Sequence, residues 1–124
     1  MTTYNEYLKS ILSQILESYD HLSEIQEKPG DLDVIKKELL KISGFLKVIS
    51  NKIDESKIHH SDFKPLKLKF KHYLTNYSFE QEIETMAPLY HEDLHRVKNM
   101  RLKILESLEE NKMMADVKEL LEKV

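Results

Sequence analysis

Apolar residues recur at spacings of three and four along most of the chain. The longest regular case comprises Leu32, Ile35, Leu39, Ile42, Leu46, Ile49 and Ile53. A repeat of this kind places the side chains on one stripe of an α-helix, and the stripe must be buried against other helices, as in a coiled coil. The pattern predicts a helix over about 31–55, around which the rest of the chain is packed.

A helix over about 3–27 is predicted before it. Its apolar stripe is broad and consists of Tyr4, Leu8, Ile11, Leu12, Ile15, Leu16, Tyr19, Leu22 and Ile25. Pro29 and Gly30 end this helix, because proline cannot continue the hydrogen-bond ladder and glycine adopts turn conformations at little cost. Asp31 is the predicted N-cap of the next helix. Since the connection is short, the two helices should form an antiparallel hairpin.

A third helix is predicted over about 62–77, capped by Ser61 or Asp62. Residues 66–71 alternate apolar and polar, which is typical of a strand. However, the apolar positions continue beyond them at helical spacing, and a single strand would have no partner. The helical interpretation is therefore preferred.

A fourth long helix is predicted over about 79–110, beginning at a capping box that starts with Ser78. Pro88 lies inside it. Because proline lacks the amide donor and clashes with the preceding turn, we expect a kink or a short break near Ala87.

A short C-terminal helix over 113–123 completes the predicted architecture. Its apolar face consists of Met113, Val117, Leu120 and Val124. In a straight helix through Asn111 this face would point ~140–180° away from the preceding stripe. Either the chain bends near Asn111 and folds back, or the face is buried on another molecule. The sequence thus predicts an all-α antiparallel bundle of four long helices plus a short one, in a single domain over 1–124.

Composition narrows the class of protein. Two glycines, three prolines and 33% charged residues favour long helices over a sheet with its turns. The absence of cysteine excludes disulfides and thiolate metal sites and is compatible with a reducing compartment, so a cytoplasmic location is expected. No signal peptide and no membrane span are expected. A net charge of −3 gives no overall attraction to nucleic acid or anionic lipid.

One short motif resembles a catalytic site. Residues 91–95 fit H-E-x-x-H, which is similar to the zinc metalloproteases in those five residues alone. Relative to the predicted core stripe, His91 and His95 lie ~100–140° away and Glu92 points nearly opposite, which does not fit a shared inward site. No cofactor is therefore expected, and a metal-binding protein or metallohydrolase using His91 and His95 is the alternative hypothesis.

A basic stretch over 57–72 carries five lysines and three histidines among aromatic residues. It could face RNA or phosphate. Because Phe70 and Tyr73 fall on the predicted core stripe and the stretch has no arginine, we interpret it as a solvated helix face and do not expect nucleic acid as a partner.

Two apolar faces are left over once the predicted core is assigned. Val34, Phe45 and Val48 lie away from the heptad stripe, where they are either covered because this helix is central or exposed to a partner. The second face is that of the tail, Met113, Val117, Leu120 and Val124. These residues predict a non-enzymatic protein–protein interaction module: an adaptor, chaperone, inhibitor or complex subunit. Its partner would be another protein or a second copy in a homodimer, and no small-molecule substrate is evident.

Overall fold

In a computed structural model of the chain, residues 4–25, 30–53, 58, 61–77, 79–90 and 93–124 are described. Among these residues the chain forms helices and no strand. The helices are α1 (Tyr4–Glu24), α2 (Asp31–Lys52), α3 (Phe63–Asn76), α4 (Phe79–Tyr90), α5 (Leu94–Glu109) and α6 (Met113–Lys123). The all-α bundle predicted from periodicity is confirmed. None of the described helices combines the length and apolarity that crossing a membrane requires.

The first two helices form the predicted antiparallel hairpin. His21 Nδ1 near the end of α1 lies 3.4 Å from Glu38 Oε2 in the second turn of α2. The predicted N-cap was wrong by one residue: Gly30 occupies that position, and Asp31 is the first residue of α2. Gly30 has a φ of 91°, a left-handed conformation that glycine adopts without a Cβ clash.

The second helix is central, as the heptad pattern predicted. It packs against α1, α3, α4 and α5. Every residue of the stripe from Leu32 to Ile53 is at most 3% exposed. Since a single helix face cannot reach four neighbours, residues beside the stripe are buried as well, among them Glu38 and Ser43.

The alternating segment belongs to helix α3. Leu66, Phe70 and Tyr73 are buried, whereas Leu68 points outward and is 57% exposed. Asp62 stands at the N-cap, but its side chain makes no capping bond. Its carboxylate instead accepts a hydrogen bond of 3.0 Å from Lys123 Nζ at the end of α6.

The break expected near Ala87 occurs a few residues later. Helix α4 continues through Pro88 to Tyr90, and α5 starts at Leu94. Asp93 begins the new helix, because its carboxylate accepts from the amide of Arg96 at 3.2 Å. The predicted capping box at Ser78 lies outside the described residues.

The chain reverses between α5 and α6 through a single 3-10 turn, Glu110–Lys112. Two successive residues in it have left-handed backbones, Asn111 with φ 56° and Lys112 with φ 58°. Helix α6 returns antiparallel to α3, since Asp116 pairs with Lys69 and Lys123 pairs with Asp62. The C-terminal helix therefore folds back on its own chain, which is the first of the two predicted alternatives.

Buried apolar residues from all of these helices form a single cluster. Basic side chains cap the C-terminal ends of two helices. Arg101 Nη1 donates to the Leu22 carbonyl of α1 at 3.2 Å, and the buried Lys67 Nζ donates to the Ile53 carbonyl after α2 at 3.0 Å. These bonds satisfy terminal carbonyl groups that a helix leaves without an internal partner.

Candidate functional site

The tail residues predicted to bind a partner lie in the core of this chain. Met113, Val117 and Leu120 are at most 2% exposed, and Val124 is half-buried against the core cluster. Their face packs on the inside of the bundle because the turn at Asn111 redirects α6. Any partner that used these side chains would first have to detach the helix.

The predicted α2 patch is only partly at the surface. Val34 is 41% exposed. Phe45 and Val48 are half-buried and pack against the core cluster. The central position of α2 therefore covers two of the three residues, and the remaining valine is too small to form a docking surface by itself.

The H-E-x-x-H motif falls largely outside the structure. His91 and Glu92 lie outside the described residues. His95 is exposed on α5, with Nε2 3.3 Å from Asn99 Nδ2. Within the part of the chain that is described, no group of three or more histidine, aspartate or glutamate side chains is arranged to hold a metal ion.

The basic stretch contributes two of its lysines to the fold. Lys67 closes the end of α2, as described above. Lys69 Nζ donates to the Asn111 carbonyl at 2.8 Å and pairs with Asp116, which anchors the turn before α6. These contacts, rather than a ligand, account for the two positions. Lys57, His59 and His60 lie outside the described residues.

An aromatic stack that the apolar spacing does not predict lies between α3 and α4. The ring centroids of Tyr73 and Tyr77 lie 4.9 Å apart. Those of Tyr77 and Phe79 lie 5.4 Å apart, with the two rings tilted by only 14°. Tyr73 and Phe79 are 5% exposed, and Tyr77 is half-buried. Tyr77 is thus the most exposed ring of the stack, and it contacts two rings that are buried in the core.

A cleft lies on each side of this stack. The α2-side cleft, of about 360 Å³, is formed by α2, α3 and α4; its lining includes Lys47, Leu74, Tyr77, Phe79, Gln81 and Glu84. The α5-side cleft, of about 570 Å³, is formed by α3, α4, α5 and the 3-10 turn; its lining includes Tyr77, Phe79, Glu82, Lys103, Glu106 and Glu110. Tyr77 and Phe79 are walls of both clefts.

Glutamates dominate the charge of the two clefts. Five glutamates and two lysines are among the lining residues. In the α5-side cleft, Lys103 Nζ lies 3.3 Å from Glu82 Oε2 and 6.0 Å from the centroid of the Phe79 ring. The Tyr77 hydroxyl donates to Glu110, and this hydrogen bond raises the pKa of Tyr77.

The hydroxyl groups beneath the stack are part of the core. The Tyr73 hydroxyl lies 3.0 Å from Ser107 Oγ, and burial raises the pKa of Tyr73 to about 12. Ser107 Oγ in turn donates to the Ile104 carbonyl at 2.6 Å. These groups are therefore held in fixed hydrogen bonds that orient the stack, and none of them is placed as a nucleophile beside a base.

The sequence contains a signal for the stack but none for the clefts. The signal is the presence of three aromatic residues within positions 73–79, of which Tyr73 falls on the predicted core stripe. The charged wall joins Glu82 of α4 with Glu106 and Glu110, which are distant in sequence. Only the antiparallel return of α5 along α4 brings them together.

Comparisons of the chain with protein-family models, with curated proteins and with solved structures found no match in any of the three. The functional interpretation therefore depends on the geometry of the chain itself.

Proposed function

We propose that this protein is a small, non-enzymatic protein–protein interaction module: an adaptor, chaperone, inhibitor or complex subunit. The observation that carries the proposal is the pair of clefts that share Tyr77 and Phe79 as walls. Concave surfaces built on rigid aromatic side chains are typical of the positions at which a partner's anchoring residue is buried.

The composition of the clefts supports binding of a protein segment. Their polar lining residues are glutamates, lysines, a glutamine, an asparagine and two serines, which lie beside the aromatic wall. A ring wall with a polar rim is the arrangement found at many protein interfaces. The partner would be another protein or a second copy of this chain, and we place the interaction in the cytoplasm because the chain has no cysteine.

The proposal is tested by affinity capture of a partner with variants in which a bulky side chain blocks one of the clefts. Gln81→Trp fills the α2-side cleft and Glu106→Trp fills the α5-side cleft, whereas Glu17→Trp adds the same bulk to an exposed position on α1 that lines neither cleft. We expect a stoichiometric partner to be retained by the wild type and by Glu17→Trp and lost in at least one cleft variant. Equal capture by all four proteins, or no partner for any, would contradict it.

Self-association is tested separately by sedimentation velocity. If the partner is a second copy, the wild type and Glu17→Trp should sediment as dimers and the blocked variants as monomers.

The non-enzymatic part of the proposal predicts metal well below one equivalent after purification without an affinity tag. A full equivalent that is lost with His95→Ala would favour the metal-binding alternative at His91 and His95.

A further inference from the structure

The α5-side cleft places negative charge beside an aromatic face. Glu82 of α4, Glu106 of α5 and Glu110 of the 3-10 turn line it together with the rings of Tyr77 and Phe79. The face of an aromatic ring carries the negative end of its quadrupole, so it attracts cations in the same way as the carboxylates. The wall and rim of the cleft therefore favour the same kind of ligand.

The chain already holds a cation in this way. Lys103 Nζ lies 6.0 Å from the Phe79 centroid and 3.3 Å from Glu82 Oε2, so it contacts both a ring face and a carboxylate. Among the residues that line the cleft, this lysine stands beside three glutamates. The ammonium group of Lys103 shows how a second cation would be held. Because the glutamates outnumber this lysine, the net charge of the cleft favours the binding of a second cation.

An exposed leucine extends the same face of α4. Leu89 is 73% exposed and follows Glu82 by seven residues. Two helical turns separate the two positions, so their side chains lie on one face about 10 Å apart. A segment that presented a cation to the cleft could cover Leu89 with an apolar side chain two turns further along.

We propose that the α5-side cleft binds an amphipathic basic helix of a partner protein, whose arginine or lysine lies beside the half-buried ring of Tyr77 among the three glutamates. An apolar side chain of the same helix covers Leu89. This inference rests on the proposed function, because it names the partner chemistry of the same surface. Arginine suits the site best, since its planar guanidinium stacks on rings and binds carboxylates in a bidentate manner.

A peptide titration tests the partner chemistry. The probes are three fluorescein-labelled helical peptides of about 14 residues, or four turns. They share their leucine and alanine positions and carry arginine, glutamine or glutamate at the remaining ones. Fluorescence anisotropy gives the affinity, and ¹H–¹⁵N spectra of the full chain locate the contact. We expect the arginine peptide alone to shift the amides of Tyr77 and Glu106, with an affinity that falls as salt increases.

Pairs of matched variants test whether Glu106 and Leu89 contribute to peptide binding. Glu106→Lys should weaken the arginine peptide by about tenfold or more, because it places a like charge in the cleft. Glu17→Lys makes the same charge change on α1 and should alter the affinity by less than about twofold. Leu89→Ser should weaken binding severalfold, whereas Leu68→Ser, at a leucine that is 57% exposed on α3, should not.

Several results would overturn the inference: equal affinity for the arginine and glutamate peptides, an unchanged affinity in Glu106→Lys, amide shifts located elsewhere, or displacement of the peptide by equimolar spermidine. The affinity-capture experiment separates this failure from that of the proposed function. A partner lost on blocking the α2-side cleft alone would refute the basic helix and keep the interaction module. Failure of both experiments would refute both.

Discussion

At the scale of single residues, the turn before α6 contains the clearest conformational conflict in the described chain. Asn111 and Lys112 both have left-handed backbones. Asparagine tolerates this conformation, whereas for a lysine the steric clash of the Cβ costs about 1 kcal/mol or more. The Lys69 ammonium, which binds the Asn111 carbonyl and Asp116, holds the turn in place.

Replacing Lys112 by glycine should therefore stabilise the protein. We expect Lys112→Gly to raise the free energy of unfolding by up to about 1 kcal/mol, since the relief of the Cβ clash exceeds the added chain entropy. Urea denaturation followed by circular dichroism measures it. The control is Lys118→Gly, an exposed lysine inside α6, which should lower stability by about 1 kcal/mol. A loss of stability in Lys112→Gly would show that the turn is not strained.

Tyr73 should make stability depend on alkaline pH. Burial raises its pKa from 10.0 to about 12, so between these values the folded state keeps the phenolic proton that the unfolded chain loses. The stabilisation is fully present below pH 10 and is lost as the pH rises towards 12, by about 2–3 kcal/mol in all.

Urea denaturation at pH 9 to 11.5 checks this expectation. The fall in the free energy of unfolding should be smaller in Tyr73→Phe than in the wild type. Tyr7→Phe, at a tyrosine that is 45% exposed, should follow the wild type. If all three proteins lose the same stability over this range, the Tyr73 hydroxyl is not the group responsible.

At the scale of elements, helix α6 illustrates that an apolar stripe predicts a buried face but not the helix against which that face packs. Its apolar stripe was recognised from the sequence, but its partner was not, because an amphipathic helix is equally well buried by its own chain or by another. The left-handed turn and the pairs Lys69–Asp116 and Lys123–Asp62 place it against α3.

If α6 is part of the core, a leucine in it should matter more than a leucine at the surface. Leu120 is 1% exposed and Leu68 is 57% exposed. We expect Leu120→Ala to lower the free energy of unfolding by about 2–5 kcal/mol, because it leaves a cavity, and Leu68→Ala by less than about 0.5 kcal/mol. Chemical denaturation of the two variants makes the comparison. Equal, small effects would mean that α6 is not packed on its own chain in solution.

The segment over 79–110 shows how far element boundaries follow from sequence. The helical content and the interruption were predicted, but the break was expected near Ala87 and occurs after Tyr90. Pro88 lacks the amide that would bond to the carbonyl one turn earlier, and α4 continues for only two residues beyond it. The cap at Asp93 decides where α5 begins, and a single acidic residue in a charged stretch is a weak signal.

At the scale of the whole molecule, the described helices share one buried apolar cluster. Since no helix has a core of its own, we expect a single cooperative unfolding transition. Circular dichroism at 222 nm and tyrosine fluorescence should give coincident curves in urea. A separate early transition in one of the two signals would divide the chain into units that unfold independently.

The sequence by itself determined the fold class, the central helix and most of the core, because burial of an apolar stripe with a period of 3.6 residues is a local requirement of each helix. Only the tertiary structure decided where α6 packs, how Lys67 and Lys69 are used, and that Tyr77 and Phe79 stand between two clefts. These features depend on which helices meet and in which direction, and periodicity carries no information about either. The charged wall of the α5-side cleft exists because α5 returns along α4, so its glutamates are neighbours in space and not in sequence.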